Sequence, residues 1–381
     1  MIEVDINKCC GCTACENICP KNCISFREDS EGFAYPSIET ESCVNCGMCG
    51  RVCPFLTEHN KRMPDVVYAA KNTNDRIRLE SSSGGVFTAL ALQIIKRGGF
   101  VVGSAFDSNF NVKHVIINKE NELSRLRGSK YVQSDLRGVF KPIKKFLEDG
   151  QLILFSGTPC QINGLKNFLR KDFDNLICVE IICHGVPSPL IWKDYLNSRI
   201  ESISPVCISF RDKRKGWAEY GLAIKKEDGS ELYENRDDCN YLKGYMANVF
   251  LRPSCYNCPS KSGISRADIC LGDYWGVNRV HKDFSDNKGV SLVMVYSQKG
   301  KDLFESSSVE YILSPLSFAL EMNPMIAIST SRPVDRELFW DEYHRVGIGA
   351  IQSLIRRRRP NYYIRIMNCL KNNFRKIVKR K

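Results

Sequence analysis

The chain has no long apolar run. Its longest strongly apolar stretch, Val86–Ile95, is about half of the ~20 residues that a membrane-spanning helix requires. Met1–Cys12 lacks the charged start and apolar stretch of a secretory signal. Cysteine is missing from the whole interval between Cys53 and Cys160, and acid is missing from Arg356–Lys381. A small disulfide-stapled secreted scaffold is a poor fit to 381 residues. With 43% hydrophobic and 26% charged residues, the composition excludes a disordered or fibrous chain. What remains is an expected cytoplasmic protein of about two or three domains. Its 19 cysteines, ten of them before residue 54, are expected to hold metal.

Charge is unevenly placed. The net charge is +12, yet eleven bases lie in residues 356–381 and the other 355 residues carry +1. Residues 1–57 hold eight acids against four bases, so an acidic head is joined to a basic tail. In that tail Tyr363, Ile366, Met367, Leu370, Phe374, Ile377 and Val378 follow the three-and-four spacing of one helical face. Such a helix could lie peripherally on the anionic inner face of a membrane, or dock on this protein or a partner. Nucleic acid is a weaker partner, because no recognised binding motif accompanies Arg356–Arg359.

The strongest pattern is a repeat: Cys9, Cys12, Cys15, Cys19-Pro20, then Cys43, Cys46, Cys49, Cys53-Pro54. Each is C-x2-C-x2-C-x3-C-P. Three thiolates so spaced can wrap one face of a [4Fe-4S] cube while the fourth ligates the other cube. Cys9, Cys12, Cys15 and Cys53 are therefore assigned to one cluster, and Cys43, Cys46, Cys49 and Cys19 to the second. A zinc ribbon would use paired knuckles with four ligands per ion. Cys10 and Cys23 are left to pack as small apolar residues. Ile24–Phe26 and Tyr35–Ser37 alternate as a short hairpin would. Residues 1–57 resemble a bacterial-type two-cluster ferredoxin domain, of α+β class, and an electron relay is the role that this implies.

Beyond Thr57–Pro64 the pattern changes to alternating strands and helices. Val66–Lys71 reads as a strand, Ser81-Ser-Ser-Gly-Gly85 opens a helix over Val86–Arg97, and Phe100–Phe106 is the next strand. A Ser/Gly stretch at a helix start exposes N–H groups and can cradle the pyrophosphate of a dinucleotide such as FAD, although serine also caps helices for structural reasons. Gln151–Phe155 and Leu176–Ile182 read as strands, with Cys160–Arg170 and Ser188–Ile200 as the helices that follow them. Short crossovers make these strands parallel, and their ends bring Cys160 and Cys183 to one crevice. Cys255 and Cys258 form a C-x2-C knuckle. Knuckle and crevice thiols together make the count for one more [4Fe-4S] cluster or one zinc; the alternative treats Cys160 and Cys183 as isolated thiols. Cys178, Cys207, Cys239, Cys270 and Cys369 read as buried packing.

Several ordered motifs then become recognisable: Ser82-Ser83-Gly84-Gly85, Gly128–Ser134, Gly157-Thr-Pro-Cys-Gln161, Cys183-His-Gly-Val-Pro187, Phe210-Arg with Gly216-Trp217, Cys255-x2-Cys258, and Ala267-Asp-Ile with Gly272–Gly276. Residues 66 to about 300 resemble the coenzyme F420 hydrogenase/dehydrogenase beta-subunit family of iron–sulfur flavoproteins. The resemblance implies one FAD with a [4Fe-4S] cluster nearby. It makes Cys160, Cys183, Cys255 and Cys258 expected ligands. Ser82, Ser83, Gly84, Gly85, Lys130 and Tyr131 become candidate FAD contacts. His184 would contact the flavin as a catalytic group or merely satisfy its loop, and Asp273 would orient a cofactor group or cap a turn.

The expected architecture is a ferredoxin head over 1–57, a larger α/β FAD/iron–sulfur domain over 65–300 and a helical C-terminal region over 301–381 with the basic tail. The expected function is an oxidoreductase passing electrons between a hydride carrier, reduced coenzyme F420 or similar, and ferredoxin-type partners. The competing readings are a ferredoxin-fed electron-delivery module for a partner enzyme, as among relatives that accompany surface-polysaccharide biosynthesis, and a non-redox protein whose large-domain cysteines hold zinc.

Overall fold

The computed structural model describes residues 5–57, 62–200 and 204–358. In the head, β1 (Ile24–Glu28) and β2 (Ala34–Ile38) form the expected antiparallel hairpin, flanked by short helices Ala14–Ile18 and Met48–Arg51. The two cysteine runs bend through left-handed backbone at matching positions, Gly11 (φ 69°) with Asn45 (φ 52°) and Thr13 (φ 63°) with Gly47 (φ 72°). The sequence repeat is thus a backbone repeat. It is strong enough to hold a threonine where L-residues rarely sit.

The larger unit contains β3 (Val66–Asn72), β4 (Phe100–Phe106), β5 (Val112–Ile117), β6 (Ile153–Gly157), β7 (Leu176–Ile181), β8 (Pro205–Asp212), β9 (Gly221–Lys226), β10 (Glu231–Asn235), β11 (Ile269–Asp273), β12 (Ser291–Val295) and β13 (Val309–Leu313). Eight of these form a mixed sheet in the order β13-β3-β12-β11-β7-β6-β4-β5. Its centre, β11-β7-β6-β4, is parallel, as the crossover argument expects. Helices Val86–Lys96 and Gln298–Glu305 cover one face through Leu90, Ile94, Leu303 and Phe304. Helices Phe140–Glu148 and Pro159–Leu169 cover the other through Phe140, Ile143, Ile162 and Leu165. Burial on both faces explains why the central strands read as unbroken apolar runs. A second sheet, β10-β9-β8, is antiparallel. It shares a core containing Trp192, Tyr241, Phe339 and Leu354 with helices Pro189–Ile200, Asn240–Met246, Arg336–Val346 and Gly349–Arg358.

Two expectations need correction. The boundary at 300 falls inside the larger unit, because β13 pairs with β3 as the sheet's outermost strand. Cys207 is exposed on β8 rather than buried. At the start of the basic tail Arg357 pairs with Glu342 and Arg358 with Asp335. The expected amphipathic helix and Cys369 lie in 359–381, outside the described residues. No helix among the described residues is long and apolar enough to cross a membrane.

Candidate functional site

The site forms where the parallel strands end. β6 finishes at Gly157, and Thr158 and Gln161 then cap the next helix reciprocally. The cap puts Cys160 in the first turn, with its Sγ 3.3 Å from Thr158 Oγ1. β7 leads directly into Cys183-His184-Gly185. The knuckle turns on Arg252, whose carbonyl accepts from Cys255 N–H at 2.9 Å, while Val186 N–H points at Cys255 Sγ at 3.4 Å. The fold therefore gathers Cys160, Cys183, Cys255 and Cys258. Burial, reinforced by the Cys160 thiol, pushes Cys183 up to about 12 and Cys258 up to about 11. Burial together with Cys183, Cys160 and Cys258 raises Cys255 as well. Thiols so placed hold their protons when free and surrender them to a metal. Among the described residues no three His, Cys, Asp or Glu side chains converge on a single-ion position. Four thiolates around a cube, each on a different iron, need no such convergence.

The head gathers its thiols in the two sets that the spacing separates. Burial, with Cys9 and Cys53 beside it, raises Cys15, and Cys53 is raised by burial and the neighbouring Cys9. Cys12 has Cys15 and Cys53 as charged neighbours. Cys19, Cys43, Cys46 and Cys49 line one small pocket, with Cys23 Sγ 3.4 Å from Cys19 Sγ.

The two units are packed together. Ala14 and Val52 of the head share a core with Ile162 and Leu165. Gly164 admits Cys12 so closely that a Cβ there would lie 2.8 Å from the Cys12 sulfur. The Glu31 carboxylate takes both arms of the buried Arg336, at 2.7 Å on the Oε1 side. Cys10 is buried as expected, and the thiols that bear on it come from both sides, Cys12 of the head and Cys160 of the large domain. At the equivalent place in the second repeat, Val44 is 57% exposed and Cys46 is exposed. The Cys9 end of the head thus faces the large domain and the Cys46 end faces outward.

Beside Cys183 opens a cavity of about 730 Å³, well within the range of small-molecule sites. Its lining brings together Ser82, Ser83, Gly85, Lys130, Tyr131, Cys183 and His184. Gly84 is not on the wall: its Cα is pressed against β3 and β12, where a Cβ would meet Ala70 O at 2.5 Å. Ser83 Oγ is turned to Val290 O, 2.9 Å away. Ser82 Oγ accepts from Ser129 N–H at 2.7 Å, tying the Ser/Gly loop to the Gly128–Ser134 motif. Gly85 (φ 77°) starts the helix, and the first turn, Val86–Thr88, opens into the cavity. A first turn carries N–H groups without intrahelical partners. Lys130 Nζ donates to two carbonyls, Arg127 at 3.2 Å and Gly128 at 3.1 Å, and pairs with no carboxylate among the described residues. Burial pushes it down to about 7. Free N–H donors and a cation lacking an anion fit a pyrophosphate-bearing ligand such as FAD.

His184 Nε2 meets Asn248 Oδ1 at 2.6 Å, and its carbonyl accepts from Lys261 at 3.1 Å. Burial pushes the imidazole below its usual range. Asp273 serves the scaffold: it binds the buried Arg211 at 3.0 Å and Trp217 Nε1 at 2.8 Å. Sequence reasoning missed Arg211, Lys213, Gln133 and Arg252. Lys213 Nζ donates to the carbonyls of Ser83 and Lys288 at 2.7 Å and of Arg78 at 2.9 Å, fixing the Ser/Gly loop from behind. A signal was present: each sits inside or directly beside a motif already singled out, and Arg211 and Lys213 are charged residues in a half-buried strand region.

A 4Fe-4S dicluster domain matches residues 8–56. The N-terminal part of the coenzyme F420 hydrogenase/dehydrogenase beta subunit matches 67–141, and its C-terminal part matches 150–314. The molecule is an iron–sulfur oxidoreductase with a ferredoxin-type head. It belongs to the coenzyme F420 hydrogenase/dehydrogenase beta-subunit family. An uncharacterized protein of Methanocaldococcus jannaschii is 26% identical over 351 residues, 79% of this chain and 87% of its own length. The coenzyme F420-dependent sulfite reductase of that organism is 27% identical over 245 residues, 61% of this chain but 36% of the reductase. A chain of the F420-reducing [NiFe] hydrogenase complex from Methanosarcina barkeri superposes with a TM-score of 0.47 at 16% identity, covering 78% of this chain and 92% of that one.

Proposed function

We propose that this protein passes electrons between a hydride carrier, reduced coenzyme F420 or a similar molecule, and a ferredoxin-type partner, using FAD and three [4Fe-4S] clusters. The observation that carries the reading is continuity: the cavity wall includes Cys183, the Cys183 set adjoins Cys10 and the Cys9 set, and the Cys19 set reaches the surface. A flavin accepts a hydride's two electrons and can release them singly, which is what clusters of one-electron capacity require. Val86–Thr88, Ser82, Ser83, Gly85, Lys130 and Tyr131 would hold it. Lys130 supplies the charge, and Lys213 keeps the loop in shape. His184, fixed by Asn248, would stand at the reacting end. The two thiol sets of the head and the set of Cys160, Cys183, Cys255 and Cys258 would hold the clusters. The exposed end of the head gives a soluble redox partner its place of contact.

Iron and flavin content after anaerobic purification tests this. About twelve irons and one FAD per chain are expected. Cys160→Ser should lose about four irons while the head's two cluster spectra persist. About eight irons without flavin in the wild type, or unchanged iron in the variant, would overturn the assignment. Anaerobic bleaching of the flavin by reduced F420 or NAD(P)H separates this reading from a module fed by ferredoxin alone.

A further inference from the structure

Arg252 is fully buried, yet no carboxylate pairs with it among the described residues. Its Nε donates to Cys9 O at 2.6 Å, one terminal nitrogen to Gln133 Oε1 at 2.9 Å, and the other to Ala34 O at 2.9 Å while lying 3.7 Å from Cys9 Sγ. The ring of Tyr35 lies 4.2 Å from the guanidinium carbon, and that of Phe33 5.4 Å. Gln133 in turn donates to Cys10 O at 3.2 Å. The main chain of Arg252 is tied to the other side, its N–H to Val186 O at 3.0 Å and its carbonyl to Cys255 N–H at 2.9 Å.

A guanidinium does not give up its proton, so withdrawing it from water demands a nearby negative charge. The groups around it that can supply one are thiols and a phenol: Cys9 and Cys10 of the head, Cys255 and Cys160 of the large domain, and Tyr35. Cys9 belongs to the head's inner set, and Cys160 and Cys255 belong to the crevice set. A four-iron cube with four thiolates is a net anion. Two such anions side by side repel each other, and each is harder to reduce because reduction adds a further negative charge. The second repeat lacks this arrangement. There Arg51 reaches Cys46 O at 2.9 Å from the exposed surface, where water screens its charge.

Building on the cluster assignments above, we propose that Arg252 is the shared counter-cation of the head's inner cluster and the crevice cluster, and so sets the potential step between the inner and outer clusters of the head. Arg252 is a positioning and tuning residue rather than a catalytic one. By stabilising the reduced form it raises the potential of the centres it faces and leaves the outer cluster unaffected, although the two head clusters have the same ligand pattern.

The test is a redox titration followed by electron paramagnetic resonance on the full chain, comparing wild type, Arg252→Gln and Arg252→Lys, with iron measured on each. In Arg252→Gln the reduction constant of the inner cluster should fall at least tenfold, which is about 59 mV for a one-electron couple. The outer cluster should not move, and Arg252→Lys, which keeps the charge, should stay near wild type. If the Gln variant instead loses inner-cluster iron or does not fold, retention of all iron and wild-type potentials by the Lys variant supports the proposal. Unchanged potentials in the Gln variant, equal shifts at both head clusters, or loss of iron in both variants would overturn it. A wild type with no crevice cluster defeats the functional reading separately, since the two head clusters can still be titrated.

Discussion

At the residue scale the spacing of cysteines was legible, but the charges that serve them were not. Cys9, Cys12 and Cys15 announce themselves within seven positions. Arg252 reaches Cys9 across 243 positions of chain, and no local pattern encodes such a contact. His114 is a similar case. It lies on the cavity wall with Nε2 donating to Ser156 O at 2.9 Å and Nδ1 against Ser134 Oγ at 2.7 Å, an arrangement that suits the neutral ring. Burial pushes it down to about 4 from 6.5. The unfolded chain therefore binds an extra proton between those values, and stability falls as pH drops through that window, by on the order of 3 kcal/mol in full. Comparing the thermal midpoints of wild type and His114→Gln at pH 7 and pH 5 isolates this, because both carry the same clusters. Wild type should lose more on acidification; equal losses would show that His114 titrates normally.

At the element scale, strands and helices of the parallel centre were readable because burial on both faces leaves apolar runs and glycine marks the helix ends. β6 lies two residues later than the span Gln151–Phe155 expected, running from Ile153 to Gly157. β13 was missed for a physical reason: it is an edge strand, exposed along much of its length, and its partner β3 lies more than 200 positions earlier. The Ser/Gly helix start was correctly singled out, but its glycines divide the work. Gly85 supplies the left-handed turn, and Gly84 supplies close approach to the sheet. Gly84→Ala would put a methyl 2.5 Å from Ala70 O and 2.7 Å from Ser291 N. The cost expected from such overpacking is about 1–3 kcal/mol, seen as a lower thermal midpoint together with weaker retention of the proposed flavin. An unchanged midpoint would mean that the loop lifts off the sheet freely.

At the scale of the whole molecule, the order of domains was legible and their contact was not. Sequence shows a head followed by a charged connection, the usual sign of a loosely joined unit. The structure instead clamps the head from several sides, with Arg336 from a C-terminal helix on Glu31 and Leu190 packed over Gly32. Arg336→Met would leave the mostly buried Glu31 without its partner, costing about 2 kcal/mol, less than for a fully buried pair because Glu31 keeps some contact with water. Limited proteolysis should then release a ferredoxin-sized fragment several times faster than from wild type; an unchanged rate would place the clamp elsewhere.

The helix Pro159–Leu169 carries Cys160 at its start and seats Cys12 against Gly164, about 6 Å further along its axis at 1.5 Å per residue. With the proposed clusters bound, this single covalent rod would act as a ruler between two centres held by different domains. Electron tunnelling decays steeply with gap, and here the gap is set by helix pitch rather than by a docking equilibrium. Transfer inside the molecule should accordingly be first-order, indifferent to protein concentration and ionic strength, while the hand-off at the exposed end is bimolecular and responds to both.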